Sequence, residues 1–250
     1  MNIYIDFEAS QYTQEIISVG AISSNGEEFY SLVNTSRPVG KVVEGLTGIK
    51  QQDITNADPP SIVFEDFFFW LQDVSNNGNK KVRFICYGNS DLDFAKNTLK
   101  KTGNSLYAQA ALSMIICNMV DYAEYTKDYF GLTRHISLLK LARFYSHNDN
   151  LQQNHNSLDD AKLLKFIYEK IQEGNDLVEN PFLEYMQKIE IYDNDNNLVE
   201  TFYGMEQAIK WVIDFKHMPP NVSKKKITNK IIAVSQSKEE YCGFNWVMIN

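Results

Sequence analysis

Two acidic residues at the end of the first apolar segment place the strongest constraint on what this chain can fold into. Residues 2–10 read Asn-Ile-Tyr-Ile-Asp-Phe-Glu-Ala-Ser, and the β-branched and aromatic residues among them favour a strand. Side chains two positions apart on a strand point to the same face, so Asp6 and Glu8 share one face while Phe7 points to the other. Two such carboxylates repel each other unless a cation lies between them, and carboxylate oxygens suit Mg²⁺ or Mn²⁺. The alternative is a polar strand end with solvated acids.

The composition is that of a globular protein with room for one large domain and a small one. The chain has 250 residues, of which 44% are hydrophobic and 22% are charged. Cys86, Cys117 and Cys242 are odd in number and lack paired spacing, which predicts reduced thiols in a cytoplasmic protein. Its apolar runs are too short to span a bilayer and its N-terminus lacks a signal-peptide pattern, so no membrane partner is expected. The net charge of −8 argues against nucleic-acid binding by bulk charge, and any such binding must use metal ions and local basic patches.

The hydrophobic pattern of the first 175 residues predicts strands alternating with helices. The Asn25-Gly26 pair favours a tight turn, so the first three strands should form an antiparallel meander. Residues 46–54 are predicted to be irregular, and residues 107–116 to be a helix or another buried segment. The predicted strands are 2–10, 15–23, 29–33, 82–87 and 119–122. The other predicted helices are 61–74, 91–101, 123–130 and 137–145.

A third acid, Asp91, follows the strand at 82–87. It lies in the sequence Tyr-Gly-Asn-Ser-Asp, in which Asn89 or Ser90 is suited to cap the following helix. An acid in the first turn of a helix is favoured electrostatically, which is one explanation of Asp91. The other explanation is a third metal carboxylate brought to the sheet end beside the first two, with Asp93 as the competing acid.

The polar loop 146–156 leads into a helix that begins with closely spaced acids. Ser157 is a candidate N-cap, and Asp160 three residues later completes a capping-box pattern, which explains Asp160 structurally. His155 lies just before this helix, and taken alone it is either a solvated loop histidine or a functional one. The other histidines lack comparable acidic spacing and are interpreted as surface or structural residues.

These motifs together resemble the DEDDh 3′–5′ exonuclease superfamily, which has a ribonuclease H-like fold. The resemblance covers about residues 1–172. The form Asp-Phe-Glu-Ala at 6–9 and the form Gly-Asn-Ser-Asp at 88–91, which follows an aromatic residue, are most similar to the ERI and KapD-like exoribonucleases. It implies an α/β fold with a mixed sheet flanked by helices. The motifs, in the order of the family, are Asp6-Phe7-Glu8-Ala9, Glu15 to Ala21, Tyr87 to Asp91 and His155 to Ala161.

The resemblance implies a two-metal site. Its four carboxylates would hold two Mg²⁺ or Mn²⁺ ions about 3.5–4 Å apart. The family has its histidine five residues before the last acid, which favours Asp160 over Asp159, and the second-motif position favours Asp91 over Asp93. The implied metal ligands are Asp6, Glu8, Asp91 and Asp160, and His155 is the implied general base.

The implied activity is metal-dependent 3′–5′ hydrolysis of single-stranded nucleic acid, with RNA favoured and DNA possible. Residues 46–49, Leu-Thr-Gly-Ile, resemble a family segment near the bound strand. The alternative is a catalytically idle nucleic-acid-binding or scaffold protein, which a missing ligand or base would favour, but all five residues are present. The implied nucleic-acid contacts in this part of the chain are Phe7, Ser10, Leu46 and Asn89.

The last third of the chain is predicted to be separate, with residues 1–175 as the exonuclease domain and 176–187 as a linker. Residues 188–250 then form a small α+β domain, whose pattern is similar to the DNA-binding modules appended to some phage and homing endonucleases. The predicted elements are strands at 189–192 and 198–202, a helix at 205–215 ended by Pro219-Pro220, a second helix from 224 and a terminal strand at 241–247.

The charge of this predicted domain is balanced. Residues 188–250 contain eight lysines and eight acidic residues, so the net charge of −8 belongs to residues 1–187. Lys224, Lys225 and Lys226 form a compact basic cluster that is suited to contact phosphates. The alternative is a solvated helix end.

Overall fold

The computed structural model describes residues 1–173, 182, 185–216, 223–237 and 239–249. The chain divides into two compact units, the first made of Met1–Tyr125 and Ile136–Asp176, the second of Thr126–His135 and Leu177–Asn250. This division differs from the predicted domains in placing residues 126–135 with the second unit.

The first unit contains a mixed sheet, and this α/β fold is the one predicted. Among the described residues the sheet has five strands in the order β3-β2-β1-β4-β5, with β1, β2 and β3 antiparallel and β4 and β5 parallel to β1. The elements are β1 (Asn2–Ala9), β2 (Ile16–Ser23), β3 (Glu28–Leu32), α1 (Lys41–Thr47), α2 (Gln51–Thr55), α3 (Pro60–Val74), β4 (Arg83–Cys86), α4 (Ser90–Leu99), α5 (Leu106–Asn118), β5 (Met119–Asp121), α6 (Tyr122–Phe130), α7 (Leu138–Ser146) and α8 (Ser157–Gln172).

Helices pack on both faces of the sheet, and the side chains of the central strand β1 point to both of these layers. Ile3, Ile5 and Phe7 alternate onto one face, where they join the core shared with α3 and α5. The opposite face is covered by α8, which packs on β1 and β2, and the rings of Tyr4 and Tyr168 meet there at 5.3 Å between centroids. The period of two along β1 therefore sends its apolar side chains to one layer and its acids to the other.

The carboxyl ends of the parallel strands β1, β4 and β5 meet at one edge of the sheet. The loop after β4 consequently delivers the first turn of α4 beside the end of β1. The backbone amide of Phe7 donates a hydrogen bond of 3.1 Å to Oδ1 of Asp91, which links the two elements directly.

The prediction of an irregular segment at 46–54 is wrong, because two short helices, α1 and α2, occupy most of it. Gly48 ends α1 in a left-handed conformation with φ of 72°. The backbone amide of Lys50 donates to Oδ2 of Asp53 at 2.9 Å, which caps α2. Helices this short gain little from intrinsic propensity, so their existence depends on such local bonds and on tertiary packing.

The predicted cap of α8 is also wrong, because Asn156 and not Ser157 is its N-cap. Oδ1 of Asn156 accepts hydrogen bonds from the backbone amides of Leu158 and Asp159 at 3.1 and 3.2 Å. Ser157 is buried, and its hydroxyl lies 2.6 Å from that of Ser18 on β2. The carboxylate of Asp160 is therefore not part of the predicted capping box.

A glycine on β2 permits this close approach of α8 to the sheet. Gly20 pairs with Asp6 across the β1–β2 ladder. A Cβ atom at Gly20 would lie 2.1 Å from the backbone nitrogen of Leu158 and 2.1 Å from the carbonyl carbon of Ser157. Since real Cβ atoms do not approach backbone so closely, only glycine lets the start of α8 lie here.

We expect Gly20→Ala to displace the start of α8, because the contacted atoms are backbone and cannot rotate away. The free energy of unfolding should fall by at least about 1–3 kcal/mol, the usual effect of overpacking. Urea denaturation measures this change. Gly45→Ala is the matched control, since a Cβ there meets nothing within 4 Å, and it should be neutral or stabilising in the middle of a helix. Equal stability of the two variants would contradict the expectation.

The second unit has its own sheet and core. Its elements are β6 (Lys188–Tyr192), β7 (Leu198–Tyr203), α9 (Met205–Phe215), α10 (Lys224–Ser237), β8 (Glu240–Tyr241) and β9 (Phe244–Ile249), with antiparallel strand order β7-β6-β9-β8. Ile191, Val212 and Ile231 are fully buried in the core between sheet and helices. The single predicted terminal strand is wrong, because Cys242 and Gly243 turn the chain with φ of 60° and 83° and form a hairpin.

Part of the predicted linker is packed against the segment 126–135. The rings of Phe130 and Phe182 meet at 5.0 Å, and the amide of Thr133 donates to the carbonyl of Tyr185 at 2.8 Å. Residues 176–181, 183 and 184 of that linker lie outside the described residues, as do His217 and Pro219-Pro220. In the part of the chain that is described, no helix combines the length and apolar character needed to cross a membrane.

Candidate active site

Acidic side chains from three elements meet at the carboxyl edge of the sheet in the first unit. Asp6 and Glu8 lie on the α8 side of β1, Asp160 comes from the first turn of α8, and Asp91 comes from the first turn of α4. The candidate ligand atoms of Glu8, His155 and Asp160 all lie within 4.8 Å of one another. The tertiary structure thus gathers the five residues that the sequence singled out.

The environments of Asp91 and Asp93 are different. Asp91 is 5% exposed and is held by the amide of Phe7. Asp93 is exposed and forms an ion pair of 3.2 Å with Lys96 on the outer face of α4. Asn89 occupies the N-cap position of this helix, but within the described residues its side chain makes no capping hydrogen bond. Asp91 is therefore the acid of this helix that faces the site.

Asp160 is held by a residue that the sequence reasoning missed. Nε2 of Gln153 donates a hydrogen bond of 2.9 Å to Oδ2 of Asp160, which is 4% exposed. Asp159, the competing acid, is exposed. A polar loop residue seven positions before an acid gives no local signal, because nothing in the periodicity shows where the loop folds back.

His155 lies on the same loop in a half-buried position. Its φ of 48° is in the left-handed region, which residues other than glycine adopt at some cost in free energy. His147 has a similar φ of 51° but is exposed at the end of α7. His155 therefore differs from His147 in its position against the acids rather than in its backbone.

The carboxylates raise one another's proton affinity. Burial raises the pKa of Asp6 well above its usual range, and the charges of Asp91, Asp160 and Glu8 add to the effect. Burial, followed by the charges of Asp160 and Asp91, raises the pKa of Glu8 to about 8. Burial raises the pKa of Asp91 to about 7, although the hydrogen bond from Phe7 opposes the rise.

The pKa of Asp160 is also raised, chiefly by burial, against the lowering effects of Gln153 and His155. A cluster of carboxylates whose charged forms are destabilised by each other fits a site for divalent cations. Carboxylate oxygens are the ligands that Mg²⁺ and Mn²⁺ prefer. The donor set is thus suited to the metal that the sequence predicts.

We expect Glu8→Gln to stabilise the metal-free protein at high pH. The pKa of Glu8 in the fold, about 8, lies above its ordinary value of 4.5, so the folded state binds more protons and loses stability as pH rises from about 4.5 to 8. In chelator at pH 8.5, the melting temperature of the variant should exceed that of the wild type by several degrees, since ~1 kcal/mol corresponds to roughly 2–4 °C.

The difference in melting temperature should close by about pH 3.5, one unit below the ordinary pKa of 4.5, where Glu8 is protonated in both states. Asp93→Asn is the control, because it removes a carboxylate that is exposed and ion-paired. Calorimetry of chelated protein at both pH values measures the effect. A variant less stable than the wild type at pH 8.5 would show that the Glu8 charge is compensated in the fold.

Two of the predicted nucleic-acid contacts have buried side chains, and their role in binding stays a prediction. Phe7 is 4% exposed within the core of the first unit. Ser10 is 2% exposed, and its hydroxyl lies 2.7 Å from that of Thr13. The alternation along β1 turns Phe7 into the core. Ser10 lies just beyond that strand, where its backbone amide donates to the carbonyl of Glu15 at 2.8 Å. Leu46, by contrast, is 57% exposed, and Asn89 is exposed as well.

Further exposed apolar residues accompany Leu46. Tyr12 and Val42 are 66% and 59% exposed. Gln11 ties their segments together, since its amide donates to the carbonyl of Val39 at 2.9 Å and its Oε1 accepts from the amide of Val42 at 3.3 Å. The sequence feature that could have singled out Tyr12 is its position as an aromatic residue in an otherwise polar turn after the Asp-x-Glu strand.

The basic cluster of the second unit is exposed at the start of α10. Lys224 forms an ion pair of 2.8 Å with Glu206. That pair reduces the charge that Lys224 can offer to phosphate. The predicted contribution of Lys224, Lys225 and Lys226 to nucleic-acid binding stays a prediction.

Comparison with known proteins places this site in a family. The exonuclease family model (RNase_T) matches residues 3–168, a span that contains all five site residues. The chain belongs to the exonuclease family. Membership supports a nuclease activity and implies divalent metal ions. The predicted resemblance to the DEDDh exonucleases is confirmed.

Solved structures share the fold. The nuclease domain of 3'hExo, a DEDDh family member bound to rAMP, has a TM-score of 0.55 and 19% identity, over 69% of this chain and 92% of that chain. A 3'-exonuclease in a complex described as 3'-end specific recognition of a histone mRNA stem-loop has a TM-score of 0.57 and 18% identity, over 79% and 69%. Cell-death related nuclease 4 (CRN-4) has a TM-score of 0.52 and 18% identity, over 70% and 64%.

A curated relative matches over a shorter stretch. The PolC-type DNA polymerase III of Thermotoga maritima is 29% identical over 93 residues, which is 33% of this chain. The match spans only 7% of the polymerase. The exonuclease family therefore accounts for the first unit, and the shared fold is the ribonuclease H-like fold predicted from the motifs.

Proposed function

We propose that this protein is a metal-dependent 3′–5′ exonuclease that hydrolyses single-stranded nucleic acid. The observation that carries the proposal is the convergence of Asp6, Glu8, Asp91 and Asp160 with His155 at one sheet edge. The four carboxylates would hold two divalent ions, Mg²⁺ or Mn²⁺. When bound, such a pair stabilises the attacking and leaving oxygens of an in-line displacement.

The protein itself fixes the protonation and the orientation of the carboxylates in the absence of a cation. Their raised pKa values mean that protons occupy part of the cluster near neutral pH, and a cation competes with those protons. The amide of Phe7 and the side chain of Gln153 each fix one carboxylate oxygen. The protein therefore orients the carboxylates, and bound divalent ions would neutralise their negative charge.

His155 acts in the proposal as the general base. It lies close to Glu8 and Asp160, and its neutral imidazole accepts the proton of the attacking water. Histidine suits this task because it changes charge within the range of working pH. Its position on a polar loop lets it close over the 3′ end of a substrate.

The substrate is proposed to be single-stranded, with RNA favoured. The side chains of Leu46 and Asn89 are exposed, and both residues lie in segments that resemble segments of the family. Tyr12 and Val42 provide further exposed apolar surface. The RNA and ribonucleotide named for two of the structural relatives favour RNA. A DNA substrate and the idle scaffold remain the alternatives that the assay below decides.

The second unit is proposed to assist nucleic-acid binding through Lys225 and Lys226, which are exposed. Its separate core supports an accessory role. The cytoplasmic location expected from the cysteine pattern stays a prediction.

We expect wild-type protein with Mg²⁺ or Mn²⁺ to shorten oligonucleotides stepwise from the 3′ end. Matched 3′-labelled and 5′-labelled RNA and DNA substrates reveal the direction and the preference. Release of single nucleotides first from the 3′ label supports the proposal. Metal-independent cleavage, internal cleavage or binding without turnover would contradict it, and the last of these is the outcome expected of a scaffold.

We expect Asp91→Asn to reduce turnover far more than Asp93→Asn. Asp91 faces the site and Asp93 lies on the outer face of α4. Loss of a direct metal ligand should exceed the roughly 10–100-fold effect of outer-shell partners, while Asp93→Asn should stay within about twofold. The same 3′-labelled assay measures both. Equal losses would exclude the assignment of Asp91.

We expect His155→Ala to lower turnover by roughly 10²–10⁴-fold, the usual contribution of general acid-base catalysis. Mn²⁺ affinity, measured by calorimetric titration, should change little. His147→Ala is the control, since it removes an exposed histidine of similar backbone conformation. Similar turnover of both variants would remove His155 from the mechanism.

A further inference from the structure

Asp121 lies at the end of β5, on the same sheet edge as the proposed metal site, and has no role in the mechanism above. It pairs with Cys86 in the parallel ladder between β5 and β4. The residue after Cys86 begins the loop that leads to α4. Asp121 is thus placed beside the loop that delivers Asp91.

The carboxylate of Asp121 holds this loop through one oxygen. Its Oδ1 accepts a hydrogen bond of 2.9 Å from the amide of Gly88 and one of 2.8 Å from the amide of Ala123. Gly88 has a φ of 118°, which only glycine adopts readily. The reversal of the chain between β4 and α4 is therefore fixed by a glycine conformation and by the acceptor of Asp121.

The clamped loop determines where Asp91 lies. Asp91 follows Gly88 by three residues and is held at its other end by the amide of Phe7 at 3.1 Å. The Oδ2 atom of Asp121 is buried and has no hydrogen-bond partner among the described residues. The charge of Asp121 also contributes, after burial, to the raised pKa of Asp91, so the two acids are close neighbours.

We propose that Asp121 is a positioning residue, which fixes the β4–α4 turn through Gly88 and thereby holds Asp91 in place for a divalent cation. The inference rests on the proposed function, since it concerns the same site. Its active component is the acceptor oxygen and not the charge. Partners of this kind orient the groups that bind a metal, and their loss typically weakens binding by about 10–100-fold.

The test separates the acceptor from the charge. Asp121→Asn keeps a carbonyl oxygen for the amides of Gly88 and Ala123 and removes the charge, whereas Asp121→Ala removes both. Calorimetric titration of chelator-stripped full-length protein with Mn²⁺ gives the affinity without any substrate. We expect Asp121→Ala to bind Mn²⁺ at least about tenfold more weakly, and Asp121→Asn to stay within about threefold of the wild type.

A second variant reaches the same turn from its other side. Gly88→Ala places a side chain at a φ of 118°, which strains the turn without touching the carboxylate of Asp121. It should weaken Mn²⁺ binding in the same direction, and the double variant should be less than additive, because both changes release one element. Should Asp121→Ala fail to fold, Asp121→Asn and Gly88→Ala decide the inference alone.

Each outcome has a distinct meaning. Wild-type Mn²⁺ affinity in Asp121→Ala or in Gly88→Ala would overturn the inference. Equal weakening in Asp121→Asn and Asp121→Ala would overturn it as well, since the charge would then be the active component. Asp93→Asn is the control for the loss of a nearby exposed carboxylate and should bind Mn²⁺ normally. Absence of Mn²⁺ binding in the wild type would instead refute the proposed function.

Discussion

The burial of several carboxylates together at one sheet edge is the constraint on which the structure of this site depends. Burial and neighbouring negative charge raise the pKa values of Asp6, Glu8, Asp91 and Asp160 together. Such a cluster opposes folding in its charged form, so the surrounding structure has to hold it. The same property makes the cluster a strong site for divalent cations, because the bound charge replaces the protons.

The fold holds this cluster with contacts from several elements. The amide of Phe7 fixes Asp91, and Gln153 fixes Asp160. Gly20 lets the first turn of α8 approach β2, which no side chain at that position would permit. The proposed clamp by Asp121 adds a fourth contact, to the loop that precedes Asp91. Phe7, Gly20 and Asp121 lie remote in sequence from the acids that they position, whereas Gln153 lies on the loop seven residues before Asp160.

The site was predicted better than its surroundings. The Asp-x-Glu strand and the order of the motifs gave the family and its fold, both confirmed by the family match and the structural comparisons. The gathering of the acids agrees with the prediction, while their catalytic roles stay proposals. The errors lie where short-range bonds decide: α1 and α2, the Asn156 cap and the turn at Cys242.

The sequence by itself determined which residue types lie on which face of β1, because the period of two along a strand is a local property. It also determined the family, since four motifs in fixed order are specific. The resemblance favoured Asp91 over Asp93, but only the tertiary structure showed that Asp91 is buried at the site while Asp93 is exposed, and only it brought Gln153 and Asp121 to the site. These placements depend on how loops and helices pack in three dimensions, and a helix turn or a polar loop has no local pattern that shows where it will pack.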